Sequence, residues 1–294
     1  MSDFATISTD SSKSPHLDNF DLHNHSTCSD GLLSPTQLME LAAKAGVDAI
    51  ALTDHDTTDG LAEAHEAAKR LGVNLVDGVE ISVSWGVTTL HIVGLWIDPN
   101  APELVAGLQS VRQGRLDRAR LIGEALAKIG FPHTYEAALA LASNDAMVSR
   151  THFARYLADS GAVKNIQAAF DKYLGKGRPA YVPHRWAGLE EAITWIKAAG
   201  GIAVLAHPGR YDLKPSIRDA LLEEFRSLGG EAIEVVTGSH RPEEYNTWRR
   251  LAEEHGFLAS RGADFHGPGE SPYEPGELPP LPASCVPVWS KRAH

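Results

Sequence analysis

The chain has 294 residues, 43% hydrophobic and 22% charged, which is the profile of a soluble globular protein with enough length for one large core or two domains. Its formal charge of −11 argues against a broad nucleic-acid-binding face, so duplex DNA is excluded as a partner and any anionic substrate must meet local positive charge. A run of about 18 apolar residues, which a membrane-spanning helix needs, is absent, and two distant cysteines, Cys28 and Cys285, make no disulfide framework, so a cytoplasmic protein is expected.

In chain order, residues 1–17 are rich in Ser, Asp and Thr and lack the apolar centre of a secretory signal, so they read as a flexible tail. Residues 21–25 read as a strand end. Residues 35–46 read as a helix with Pro in its first turn and Gly at its stop. The pattern then repeats: strand 47–52, helix 58–72, strand 73–79 and a further strand 88–96. Strands alternating with helices imply βαβ units and a parallel sheet. From 102 to about 173 the pattern is almost continuously helical, and residues 101–174 are read as an inserted helical subdomain. The alternation returns with helix 189–199, strand 201–206, helix 216–228, strand 232–236, helix 242–255 and strand 257–260. Residues 18–100 and 175–266 therefore form one α/β unit. Residues 267–294, rich in proline, are expected as an extended strap without regular structure.

Fourteen histidines is a high count, and their placement carries the functional reading. His23 and His25, two apart on a strand, point to one side and can bind one ion together, and Asp30 follows in a Ser-Asp-Gly turn. A solitary His-x-His pair is equally compatible with a structural role. The strand ending at Leu52 runs into Thr53-Asp54-His55-Asp56-Thr57. In parallel α/β folds the loops after strand C-termini build the site, although Asp56 and Thr57 also suit capping of the next helix. Glu80 lies between apolar neighbours, where a buried carboxylate is costly unless it meets a cation. His91, in an apolar strand pattern, would by itself read as core. Two more strand ends carry His207-Pro208-Gly209-Arg210 and Asp264-Phe265-His266. Ligand-type side chains at each of these places point to a bound metal cluster.

Taken together and in order, HNHSTCSDG, LTDHDTTDG, GVEIS, HIVGL, AHPGR and GADFHG resemble the polymerase-and-histidinol-phosphatase (PHP) family of the amidohydrolase superfamily. The likeness covers residues 23–266 and is nearest to the bacterial branch of 3′,5′-nucleotide bisphosphate phosphatases and 5′-to-3′ exoribonucleases. The resemblance implies a distorted (β/α)7 TIM-like barrel, α/β in class, with an inserted helical subdomain. It also implies two or three divalent ions, Mn foremost with Fe or Zn as alternatives. The ligands it implies are His23, His25, Asp30, His55, Glu80, His91, His207, Asp264 and His266, with Glu80 bridging two ions. His152, in the segment Arg150-Thr151-His152-Phe153-Ala154, resembles a family position as a further ligand or substrate contact, with an ordinary helix-surface histidine as the alternative.

The expected reaction is hydrolysis of a phosphate ester of a nucleotide or a short RNA, with His207, Asp264 and His152 as catalytic residues. Substrates would be nucleoside 3′,5′-bisphosphates, the second phosphate being held by bidentate hydrogen bonds from Arg150, Arg178 and Arg210. Trp85, Trp186, Trp195 and Trp248 are candidate base-stacking surfaces, with core packing as the alternative. Two rival readings stand: a PHP phosphatase of another small monoester such as histidinol phosphate, and a metal-binding domain without turnover.

Overall fold

The structure, a computed structural model, describes residues 19–142 and 144–292; the tail expected over residues 1–17 lies outside them. Eight strands form one sheet: β1 (Phe20–Asp21), β2 (Ala49–Leu52), β3 (Leu75–Trp85), β4 (Thr88–Leu95), β5 (Ala187–Gly188), β6 (Ile202–Leu205), β7 (Ala232–Thr237) and β8 (Leu258–Gly262). Their order is β1-β2-β3-β4-β6-β7-β8, with β5 paired to β3 off this path. The ring is drawn together between β1 and β8, where Leu22 N–H donates to Arg261 O at 2.9 Å and Asn24 bridges to Phe265. The result is a barrel-like sheet surrounded by helices, in agreement with the expected fold class.

The sheet is not all parallel, because β4 runs antiparallel to both β3 and β6. Gly86-Val87 joins β3 to β4, and two residues make a hairpin turn but not the crossover that parallel neighbours need. Strand β3 also continues past the expected end at residue 79 to Trp85, so Glu80 lies inside a strand. The first expected strand keeps regular pairing only over Phe20–Asp21.

Period-two alternation decides what each strand shows to the barrel interior. Ile50 and Leu52 join the outer core under the helices, while Ala49 and Ala51 join the enclosed one with Val76, Val93, Leu95, Ile202, Val204 and Ala232. Glu80 continues the face of Val76, His91 that of Val93, and Glu234 that of Ala232. The interior is therefore apolar low down and ionisable at the rim. Phe20 stacks on Trp289 at 4.6 Å to finish the apolar end.

Helices α1 (Pro35–Ala45), α2 (Leu61–Leu71), α7 (Leu189–Ala198), α8 (Pro215–Ser227) and α9 (Tyr245–His255) cover the outside. Helix α1 has a capping box at Ser34 and a left-handed Gly46 stop, as its sequence signals require. Helix α2 starts later than expected, at Leu61 after an N-cap at Gly60, and neither Asp56 nor Thr57 caps it. Helices α3 (Pro102–Lys128), α4 (Thr134–Leu141), α5 (Arg150–Asp159) and α6 (Ile166–Ala169), with a π-turn over Phe170–Leu174, enclose a second apolar cluster around Phe153, Leu126 and Leu157. Asp56 ties this layer to the barrel: its carboxylate accepts from Ser82 N–H at 2.7 Å and from the Arg115 guanidinium of α3. The C-terminal segment is more ordered than the expected strap, since it includes a short 3-10 helix (Val288–Lys291) and buries Leu278, Val288 and Trp289.

Candidate metal centre

Ligand atoms of nine side chains meet at the rim in four overlapping groups: His25, Asp30, His55 and His266; His23, Glu80 and His207; His23, His25 and Asp264; and His55, Glu80 and His91. Within each group the atoms lie inside 4.8 Å of one another. Every residue that the resemblance implied as a ligand is among them. Glu80 is the hub. Its Oε1 is 2.8 Å from His91 Nδ1, 3.0 Å from His207 Nε2 and 3.4 Å from His23 Nε2, and its Oε2 is 2.8 Å from His55 Nδ1 and 3.4 Å from His25 Nε2. Asp264 Oδ1 faces His23 and His25 at 3.5 and 3.3 Å.

The local chain is bent to achieve this. His207 and Asp264 have φ of 28° and 52°, in a region L-residues seldom occupy, so the surrounding packing holds a strained backbone at the site. Gly262 is obligatory beneath it, because a Cβ there would come within 2.4 Å of the His23 Cβ. Asp54, in the loop after β2, accepts from Ser26 N–H at 2.7 Å and from the hydroxyls of Ser26 and Ser29 at 2.6 Å, which shapes the turn carrying Asp30.

The donor set fits divalent cations on an observation independent of sequence motifs. Oδ1 of Asp30, Oε2 of Glu80, and Nδ1 of His55 and His91 are buried yet make no hydrogen bond, although His55 Nδ1 and His91 Nδ1 each lie 2.8 Å from a Glu80 oxygen. Buried polar groups left so are costly, and a cation among them removes the cost. Charge follows the same logic. Burial opposes ionisation of Glu80, but His91, His55 and His23 hold its carboxyl well below the usual range. Burial pushes His25 and His207 down to about 3, which leaves these two neutral as ligation requires, whereas at His23 and His55 burial is outweighed by the carboxylates beside them, which raise both.

Behind the ligands stands Glu234 of β7, which the sequence reading missed. Its Oε1 is 2.8 Å from His23 Nδ1, and its Oε2 accepts from His207 N–H at 2.6 Å, so one carboxylate orients two ligands. The signal was present: Ala232-Ile233-Glu234-Val235-Val236 is the same lone carboxylate in an apolar run that singled out Glu80.

His152 is buried, not a helix-surface residue, but it belongs to none of the ligand groups formed by the described residues. Its Nδ1 accepts from Ser149 N–H at 3.0 Å, and the Ser149 hydroxyl donates to Asp30 Oδ2 at 3.0 Å.

A cavity of about 830 Å³ opens over the cluster and runs along α3, α5 and α6. Arg115, Arg118, Arg150 and Arg210 line it. Arg118 and Arg150 form no ion pair with a carboxylate of the described residues, and Arg150 lies over the Phe170 ring at 5.6 Å. Arg210 reaches Asp264 Oδ2 at 3.4 Å. Arg178, expected on a substrate phosphate, is exposed and outside this lining; its Gly-rich turn faces solvent. Of the four tryptophans that are candidate stacking surfaces only Trp186 lines the cavity, under the Arg115 and Arg118 guanidiniums.

A barrel rim gathering imidazoles and carboxylates beneath a wall of guanidiniums defines a metal-dependent phosphoesterase. The PHP domain family matches residues 21–199, and the chain belongs to that family. It is 50% identical over 271 residues to the 3′,5′-nucleoside bisphosphate phosphatase of Chromobacterium violaceum, covering 92% of this chain and 95% of that one. It is 42% identical over 273 residues to the 5′-3′ exoribonuclease Rnm of Escherichia coli, covering 92% of each. A solved structure of an amidohydrolase from Chromobacterium violaceum, with bound sulfate and no metal, is similar with a TM-score of 0.90 at 50% identity, covering 93% of this chain and 95% of that chain.

Proposed function

We propose that the protein removes the 3′-phosphate of nucleoside 3′,5′-bisphosphates and trims short 5′-phosphorylated RNA from its 5′ end, with two or three divalent ions, manganese foremost. The observation that carries this is one cavity with a candidate cation site, the ligand cluster at its floor, and guanidiniums without carboxylate partners on its wall. The two relatives, acting by name on nucleoside bisphosphates and on RNA, support the same reading.

Bound divalent ions supply an acidified water and neutralise charge on the phosphoryl oxygens. His23, His25, Asp30, His55, Glu80, His91, His207, Asp264 and His266 hold them, Glu80 from the centre. Asp264 joins the cluster to the wall, since Oδ1 faces the histidines while Oδ2 accepts from Ser239 and Arg210. Arg150 and Arg118 bind the second phosphate, for which planar donor forks are suited. Ala119, Ile122 and Val148 of the helical wall exclude water beside it. His207 acts at the reacting centre with Asp264, whereas His152 acts one row back, by holding Ser149 on Asp30.

Phosphate release from adenosine 3′,5′-bisphosphate and from adenosine 3′-monophosphate, after loading with Mn, tests the reading. Losing a partner for a desolvated charge costs about 2 kcal/mol or more, so the monophosphate is expected to react at least about 30-fold less efficiently. Arg150→Met should shrink that ratio. Equal efficiencies in the wild type would end the guanidinium assignment, and no release from either compound would end the phosphatase reading.

A further inference from the structure

The ligand groups are supported from two different bodies. Glu234, from the barrel itself, orients His23 and His207. The group of His25, Asp30, His55 and His266 has its support elsewhere, in the buried Arg155 of α5. One Arg155 nitrogen, Nη2, donates to the Asp30 carbonyl oxygen at 2.6 Å and to Glu270 Oε2 at 2.6 Å, while Nε donates to Glu270 Oε1 at 2.8 Å. Glu270 is four residues beyond His266, in a turn closed by Glu270 N–H on Gly267 O at 3.1 Å and by His266 N–H on the Ser271 hydroxyl at 2.8 Å. Leu32 N–H donates to His266 O at 2.7 Å, which joins the Asp30 turn to the His266 turn. A single guanidinium therefore fixes, from outside, the backbones carrying two of that group's four ligands.

We infer that Arg155 is a positioning residue for the outer cation site, so that docking of the helical layer on the barrel completes the Asp30–His266 side of the metal centre. The inference rests on the metal-centre reading above. The guanidinium touches neither ligand side chain. Arg155 acts through the Asp30 carbonyl and the Glu270 turn, and the fork geometry suits it to hold both at once. Ser149, on the same helix, adds the bond to Asp30 Oδ2. Loss of such outer partners costs 10–100-fold in metal affinity in other sites.

The test is calorimetric titration of the chelator-stripped full chain with Mn²⁺, with elemental analysis of the dialysed product, for wild type, Arg155→Met, Arg155→Lys, Glu270→Gln and Glu234→Gln. Arg155→Met is expected to weaken one binding step by about 10–100-fold and leave the other steps as in wild type. Glu270→Gln should weaken the same step to a smaller degree, and Glu234→Gln a different step. Arg155→Lys keeps the charge without the fork and is expected to fall between wild type and Arg155→Met; it carries the test if Arg155→Met does not fold. A melting temperature of metal-free protein, measured beside each titration, separates a folding defect from a site defect. The inference is overturned if the folded variants bind Mn²⁺ as wild type does, or if all steps weaken together. A wild type that binds no divalent ion overturns the metal-centre reading as well.

Discussion

At the scale of single residues, the ligand histidines differ from the other buried ones in what neutrality does for them. His240 is buried, accepts from Gly209 N–H through Nε2 at 2.8 Å and stacks on Trp248. Burial pushes it down to about 4. The unfolded chain takes up a proton there near pH 6.5 while the folded chain does not, so its contribution is present above pH 6.5 and is lost as pH falls toward 4. The loss comes to about 2 kcal/mol between pH 6.5 and 5. Urea unfolding of metal-free His240→Gln should accordingly show a flatter decline over that interval than wild type does, and equal slopes would refute the assignment. Glu234→Gln should lower activity at limiting Mn by about 10–100-fold, with partial recovery at saturating metal. Most ligands were legible because strand ends announce them. Glu234 passed unnoticed although its run repeats the pattern of the Glu80 run, and Arg118 because in sequence it is one more charge on a helix.

Among elements, the reversal of β4 was hidden from a reading based on alternation. The connection Gly86-Val87 is too short for a crossover, but with β3 expected to end at residue 79 the hairpin it makes was not apparent, and the long β3 carries Glu80 where a strand end was expected. The reversal still serves the site, since antiparallel pairing sets His91 opposite Ser82 and turns it toward Glu80. Neither reading of Asp56, as a site residue or as a helix cap, foretold its partner. Asp at that spacing before a helix suits capping, and only tertiary contact reveals its pairing with Arg115. That pair is buried on both sides, so removing one partner strands a charge. Asp56→Asn and Arg115→Met should each cost about 3–5 kcal/mol by denaturant titration. Limited proteolysis of either variant is expected to cut first within residues 102–174, as α3 loses its tie to the barrel.

For the molecule as a whole, closely set carboxylates and imidazoles make the metal-free state the weaker one. An ion at a thousand times its dissociation constant adds about 4 kcal/mol to the folded state. Chelation should therefore lower the melting temperature by about 10 °C, given about 2–4 °C per kcal/mol for chains of this size. An unchanged melting curve with stripped metal would contradict this.

The closure between β1 and β8 has a further consequence. Asp21 accepts from Ala263 N–H and from Gly276 N–H, both at 2.8 Å, and Arg261 donates to Phe20 O and to Pro279 O. The first and last parts of the folded chain are thus each other's scaffold. A nascent polypeptide still on the ribosome holds His23 and His25 early, yet Asp264 and the partners of Asp21 reach them only once residues 263–276 have emerged from the exit tunnel. The part of the candidate metal centre built on Asp264 and His266 is therefore the last to be completed as the described residues are synthesised.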